Sequence, residues 1–142
     1  MEDILEQITQ LLQKQEQSAL SAQRTTGENL YQQLEALISI TSMLPLRLPL
    51  PPMRGWAISP DFGVLLLSEI LVKRPRLVLE LGSGVSTLLI AYGLEKAGHG
   101  KVVSFEHELN YCEKSRNRVR AVSYTHLRAH ETLRSISYAV FC

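Results

Sequence analysis

Apolar residues recur at helical spacing along the first forty residues. The first run predicts a helix from residue 2 to about residue 24, and a second run predicts helix from residue 28 to residue 40. The apolar positions of the two runs are Ile4, Ile8, Leu11, Leu12, Leu30, Leu34, Leu37 and Ile38. The intervening Thr25-Thr-Gly-Glu28 has capping-box spacing, so region 1–44 is interpreted either as two helices or as one long helix.

The N-terminal apolar stripe contains about two clean heptads, fewer than the three or four that a coiled coil requires. We therefore expect a helical appendage packed on its own domain. Self-association through these N-terminal helices is the alternative.

A proline-rich connector follows at residues 45–58. The segment LPLRLPLPPM, from Leu44 to Met53, contains four prolines and is incompatible with a regular helix or a central strand. Ser59 followed by Pro60 predicts a helix start, and Asp61 suits the first turn. This helix runs to about Val72, and its apolar residues cover most of its circumference, which predicts a well-buried helix.

Residues 59–121 contain a strand–helix–strand pattern. Strands are predicted at residues 76–81 and 101–105, with a helix from Ser86 to Ala97 between them and another helix at residues 110–120. Gly82-Ser-Gly84 forms the first turn. The pattern predicts an α/β fold built on a parallel βαβ unit with a right-handed crossover.

Composition and charge narrow the possible functions. The 142 residues are 45% hydrophobic and 20% charged with a formal net charge of +1, which indicates a globular protein and gives no electrostatic case for nucleic acid or an anionic membrane. No apolar run is long enough to cross a membrane, and the acidic N-terminus is unlike a secretory signal. Cys112 and Cys142 match neither a metal knuckle nor a disulfide framework, so we expect packing for Cys112 and a cytoplasmic location.

The last 21 residues, 122–142, are interpreted as non-native. Their sequence, VSYTHLRAHETLRSISYAVFC, matches the in-frame translation of a sequencing adapter at both ends. Such a segment is set aside in fold prediction. His126 and His130 are four residues apart, as on the face of a metal-binding helix, but they are discounted for the same reason, and we expect no metal site.

The most informative chemistry lies between the two predicted strands. A glycine turn lets the backbone approach a ligand closely and directs a helix N-terminus towards it. Glu106 ends the second strand 24 positions after Gly82, where an acid can hold both hydroxyls of a ribose. A dinucleotide fingerprint would have glycine at the position of Thr87. The pattern therefore predicts a nucleoside cofactor and disfavours a dinucleotide.

The segment ELGSGVS resembles motif I of the class I S-adenosylmethionine-dependent methyltransferases, with Ser86 in place of the motif's last glycine. Together with RGWAISPDF upstream and VVSFEHE downstream, it is similar to a bacterial subgroup with a generic methyltransferase domain. The resemblance covers roughly residues 54–120. It implies a truncated Rossmann-like methyltransferase fold preceded by N-terminal helices.

The resemblance also implies roles in binding S-adenosyl-L-methionine. Glu80 would lie near the methionine end of the cofactor, Glu106 would hold the ribose, and His107 would flank the adenine. Trp56 would cover the pocket, with a place in the core as its alternative. The aminoacyl side would be lined by Gly82, Ser83 and Gly84, and Ser86 would belong to the same cofactor site.

The methyl acceptor and the catalytic residues stay unknown, because the family takes its acceptor residues from beyond the two strands predicted here. We expect a parent enzyme that methylates a small-molecule or glycan-type acceptor, and a 142-residue chain that is inactive and marginally stable because one apolar sheet face stays bare. Two alternatives stay open: an NAD(P)-dependent Rossmann oxidoreductase, and a non-enzymatic helical interaction module with a vestigial Rossmann-like unit.

Overall fold

The computed structural model describes residues 2–124 and 136–141, and it shows a mixed α/β fold with a parallel sheet. The chain forms two compact units, Met1–Glu35 and Ala36–Cys142. The elements in chain order are α1 (Glu2–Met43), α2 (Pro60–Lys73), β1 (Leu77–Leu81), α3 (Val85–Ala97), β2 (Gly100–Phe105), α4 (Leu109–Tyr124) and β3 (Ile136–Phe141).

Helix α1 is continuous, which decides between the two interpretations of region 1–44. Thr25 and Thr26 do not cap a new helix; their hydroxyls donate to the carbonyls of Ser21 and Ala22, at 3.0 and 2.8 Å. A hydroxyl makes this bond, to the carbonyl four residues earlier, inside a helix and not at an N-cap. Every described side chain from residue 4 to residue 32 is exposed.

The predicted pairing of two parallel strands is confirmed. β1 and β2 pair from Leu77 opposite Lys101 to Leu81 opposite Phe105. Residues 59–121 contain the two predicted strands, and β3, from the tail 122–142 that the prediction set aside, pairs in parallel with the other side of β2. An unpaired strand edge offers a row of free N–H and C=O groups, and this segment, ISYAVF, is rich in the β-branched and aromatic residues that favour strands.

The core lies on one face of the sheet. Helix α3 packs against α2, α4 and β2. Helices α3 and α4 contact each other, so they lie on the same side of the sheet. The fully buried side chains include Leu67 of α2, Leu89 and Leu94 of α3, Val102 of β2 and Ile40 near the end of α1.

The opposite face of the sheet is bare over the described residues. Leu77, Leu79 and Leu81 of β1 are 52%, 65% and 91% exposed, and Phe105 of β2 is 49% exposed. This agrees with the expected uncovered apolar face. A doubly wound fold would cover such a face with helices that follow further strands.

Helix α2 begins as predicted but is less buried than predicted. Ser59 is the extended N-cap and Pro60 the first helical residue, although the Ser59 hydroxyl donates to the Asp61 carboxylate instead of capping a backbone N–H. Leu65 and Val72 are exposed, because α2 packs against α3 through one side only.

The proline-rich connector is fixed to α3 by one arginine. Arg47 donates two hydrogen bonds to the Glu95 carboxylate, at 2.6 and 2.5 Å, and its guanidinium lies 5.2 Å from the centre of the Tyr92 ring. Its backbone N–H also donates to the Tyr92 hydroxyl at 3.1 Å. A bidentate arginine pair sets orientation as well as distance. The connector therefore has a fixed path towards the residues that line the candidate site.

Among the described helices, none combines the length and apolar character needed to cross a membrane.

The expectation that the cysteines form no disulfide is wrong for Cys112, which is fully buried and disulfide-bonded. Disulfide formation depends on closeness in space, which sequence spacing does not determine. His126 and His130 lie outside the described residues.

Candidate functional site

The turn after β1 is built for close approach by a ligand. Gly82 has φ +86°, a left-handed conformation that favours glycine, and its N–H donates to the Phe105 carbonyl at 2.8 Å. Gly84 is the N-cap of α3. Apart from chain neighbours, no atom of the described residues would lie within 4 Å of a Cβ built on either glycine. The space above the turn is therefore open among these residues. The φ angle accounts for Gly82, but packing does not account for Gly84.

A buried hydroxyl and a carboxylate support the turn from below. The Thr87 hydroxyl accepts the Gly84 N–H at 3.0 Å and donates to Oε2 of Glu80 at 2.7 Å, and the Ser104 hydroxyl donates to the same oxygen. Oε1 of Glu80 is buried and, among the described residues, has no hydrogen-bond partner. A buried acceptor without a partner is costly, so this oxygen adds negative charge beneath the turn that no described donor offsets.

Glu106 is the best-organised polar group at the site. It is buried, and its Oε2 accepts the Ser83 N–H at 2.8 Å and the Ser83 hydroxyl at 3.1 Å. Its Oε1 accepts the Glu108 N–H at 3.0 Å and lies 3.3 Å from Nδ1 of His107. The hydrogen bonds from the Glu108 and Ser83 backbones lower the pKa of Glu106, against the opposing effect of burial. The side chain is therefore an ionised acceptor held next to the glycine turn.

This pKa shift predicts acid sensitivity. Because the pKa of Glu106 is below its ordinary value of 4.5 in the folded chain, the ionised carboxylate stabilises the fold above pH 4.5. That contribution disappears as the pH falls through the lowered pKa. We expect the stability difference between the parent chain and Glu106→Gln, measured by urea unfolding, to shrink as the pH falls from 7 to 3. An equal difference at both pH values would contradict this assignment.

A cavity of about 870 Å³ lies beside the glycine turn. Six of the eight residues predicted for the cofactor site line it: Trp56, Gly82, Ser83, Gly84, Glu106 and His107. Glu80 and Ser86 are not among its lining residues, because Glu80 lies beneath the turn and Ser86 lies within the first turn of α3. Trp56 is fully exposed, which rules out its alternative place in the core.

Sequence reasoning did not assign the other lining residues to the site. Among them, Arg54 comes from the connector, and Tyr111, Lys114 and Arg118 come from α4. The α4 residues are separated by three and four positions, the spacing of one helix face. That spacing was visible in the sequence, but nothing in it indicated that this face would line a cavity. The Lys114 ammonium lies 5.6 Å from the centre of the Tyr111 ring.

Comparisons with known proteins do not identify the chain. No model of a protein family matches it, and no curated protein matches it.

Proposed function

We propose that this chain is the S-adenosyl-L-methionine-binding part of a class I methyltransferase with a Rossmann-like fold. The observation that carries the proposal is the buried, ionised Glu106 carboxylate beside an open glycine turn, at the carboxyl ends of two parallel strands. Ligands of open α/β sheets bind at this edge of the sheet. The parent enzyme would transfer a methyl group to an acceptor that these residues do not specify.

The residues present fit this cofactor at both ends. The Glu106 carboxylate has lone pairs beyond those used by Ser83 and Glu108, so it can accept from ribose hydroxyls. The Glu80 carboxylate beneath the glycine turn contributes negative charge that suits the positive charges of the methionine part. When bound, the cofactor supplies an electrophilic methyl group; the chain's own contribution is to hold and orient the nucleoside.

Two features disfavour the nicotinamide alternative. Thr87 occupies the place of the third glycine of a dinucleotide fingerprint, and its buried hydroxyl is committed to Gly84 and Glu80. The Glu80 carboxylate beneath the turn also disfavours a pyrophosphate, since both groups are anionic. Both effects favour a cofactor that carries positive charge near the glycine turn.

Calorimetric titration distinguishes these cofactors. We expect the 142-residue chain to bind S-adenosylhomocysteine and S-adenosylmethionine at least tenfold more tightly than NAD⁺. Binding of NAD⁺ with equal or higher affinity would overturn the proposal in favour of an oxidoreductase origin. Because methyl transfer depends on the alignment of cofactor and acceptor, we also expect no methyl transfer by this chain alone.

Gly84→Ala separates ligand binding from folding. Gly84 has φ 173°, extended backbone that alanine adopts, and the added methyl group meets no protein atom within 4 Å. We expect unchanged thermal stability and a roughly tenfold loss of affinity for S-adenosylhomocysteine, equivalent to about 1.4 kcal/mol.

Gly93→Ala is the matched control for that substitution. Its new Cβ would lie 3.2 Å from side-chain atoms of Ile70 and Leu67, so it tests packing within the core. We expect Gly93→Ala to lower the melting temperature while the folded chain keeps its affinity. A Gly84→Ala chain that melts earlier and binds normally would contradict the assigned role of Gly84.

A further inference from the structure

The first compact unit is a stretch of helix with an exposed apolar surface. Nine large apolar side chains lie between 48% exposed, for Ile8, and 72% exposed, for Tyr31. They are Ile4, Leu5, Ile8, Leu11, Leu12, Leu20, Leu30, Tyr31 and Leu34. Single exposed apolar residues are common on protein surfaces, but a concentration of this kind along one helix marks an interaction surface.

The apolar positions are arranged symmetrically about the middle of this helix. Ile8 and Leu34 lie equally far from Ser21 on either side, and so do Leu12 and Leu30. At about 100° per residue, these four side chains fall within roughly 80° of arc on one side of α1. We call Ile8, Leu12, Leu30 and Leu34 the helix face. A helix with such a symmetric face can match an identical helix running in the opposite direction.

We propose that the helix face pairs with that of a second copy of this chain, antiparallel and centred near Ser21. A two-fold interface uses the same patch on both copies, and here the symmetry brings Ile8 of one copy opposite Leu34 of the other. Leu12 lies opposite Leu30 in the same way. The proposal is independent of the cofactor assigned above.

The exposed area of the helix face sets the strength of such a pair. At about 25 cal/mol per Å² and about 1.5–3 kcal/mol for complete burial, each of its four side chains offers on the order of 100 Å². Together they offer about half of the roughly 800 Å² per partner of a standard interface. Glu16 and Gln23 also interrupt the face near its centre, so we expect a weak equilibrium in the micromolar range.

Charge on the helix face favours the antiparallel direction. Glu16 lies within the arc of the helix face, and a parallel pair would bring two Glu16 carboxylates together. The antiparallel pair places Glu16 of each copy opposite Thr26 of the other. It also opposes the two helix dipoles.

Disulfide trapping tests the orientation. In the antiparallel pair, an Ile8→Cys chain mixed with a Leu34→Cys chain should form a crosslinked dimer under mild oxidation. Ile8→Cys alone should not, because its two copies would be about 39 Å apart at 1.5 Å per residue. The unsubstituted chain, oxidised in the same way, is the control for crosslinking through the native cysteines. Efficient crosslinking of Ile8→Cys to itself would overturn the antiparallel arrangement.

Sedimentation equilibrium of the 142-residue chain tests the surface itself. We expect a monomer–dimer equilibrium that Leu12→Lys shifts at least tenfold towards monomer, with helicity by circular dichroism unchanged. Leu79→Lys, on the bare sheet face, is the matched control and should leave the equilibrium unchanged. A chain that is monomeric at 100 µM, or a dimer lost in Leu79→Lys and kept in Leu12→Lys, would overturn the proposal.

Discussion

Replacement of Glu106 with alanine is expected to abolish measurable binding of S-adenosylhomocysteine. The carboxylate is the ionised acceptor assigned to the ribose, and hydrogen bonds to a charged group contribute about 1.5–3 kcal/mol each. Loss of two such bonds corresponds to an affinity decrease of more than 100-fold. The measurement is calorimetric titration of the variant and the parent chain at pH 7.

Two further variants separate the role of charge from local structure. Glu106→Gln keeps an oxygen acceptor for the Ser83 N–H and should lose affinity by roughly tenfold. Glu108→Gln changes a neighbouring carboxylate that also lines the cavity but is exposed, and it should bind like the parent chain. If Glu106→Ala and Glu108→Gln had equal effects, the assignment of the ribose to Glu106 would be wrong.

Gly100→Ala is expected to cause the largest loss of stability among the glycine substitutions. Gly100 begins β2 with φ +116°, and an added Cβ would lie 2.7 Å from both the Pro75 carbonyl oxygen and Cδ2 of Leu94. Backbone strain costs about 1–3 kcal/mol, and overlap with a fixed carbonyl adds to that cost. We expect a decrease of about 3 kcal/mol or more in the free energy of unfolding, measured with urea.

Gly27→Ala is the control for this effect. Gly27 lies inside α1, and an added Cβ would meet no atom within 4 Å. Alanine favours helix over glycine by about 0.5–1 kcal/mol, so this variant should be at least as stable as the parent chain. Equal stabilities of the Gly27→Ala and Gly100→Ala chains would contradict the described packing at the start of β2.

The parts of the fold that were predictable have strong local signals. Pro60 after Ser59 marked the start of α2, and the run of apolar residues before Gly82 marked β1. Parallel pairing of β1 with β2 then followed from the connecting helix, and it brought Glu106 next to the glycine turn. These features depend on neighbouring residues or on simple topology.

The parts that failed depend on contacts between distant residues. Burial of α2 could not be judged from its own composition, because the exposure of Leu65 depends on which elements lie near it. The strand β3 uses an edge that β2 offers only after folding, whatever the origin of the segment that pairs with it. Lys114 and Arg118 line the cavity because α4 packs beside the connector residues, which no local pattern reports.

Glu80 shows a mixed result. The sequence pattern identified it as the acid that accompanies the glycine turn, and the structure places it beneath that turn with one oxygen lacking a partner among the described residues. Its hydrogen bonds to Thr87 and Ser104 were not predictable, since both hydroxyls reach it only through the packing of α3 on the sheet. This network makes Thr87 a support for the turn.

The most direct test of the proposed function is an amide NMR titration of the 142-residue chain with S-adenosylmethionine. Binding at the candidate site should shift the amide signals of Ser83, Gly84 and His107, while Gly93 in the core keeps its position. Absence of shifts at millimolar cofactor, or equal shifts with NAD⁺, would contradict a methyltransferase origin for this site.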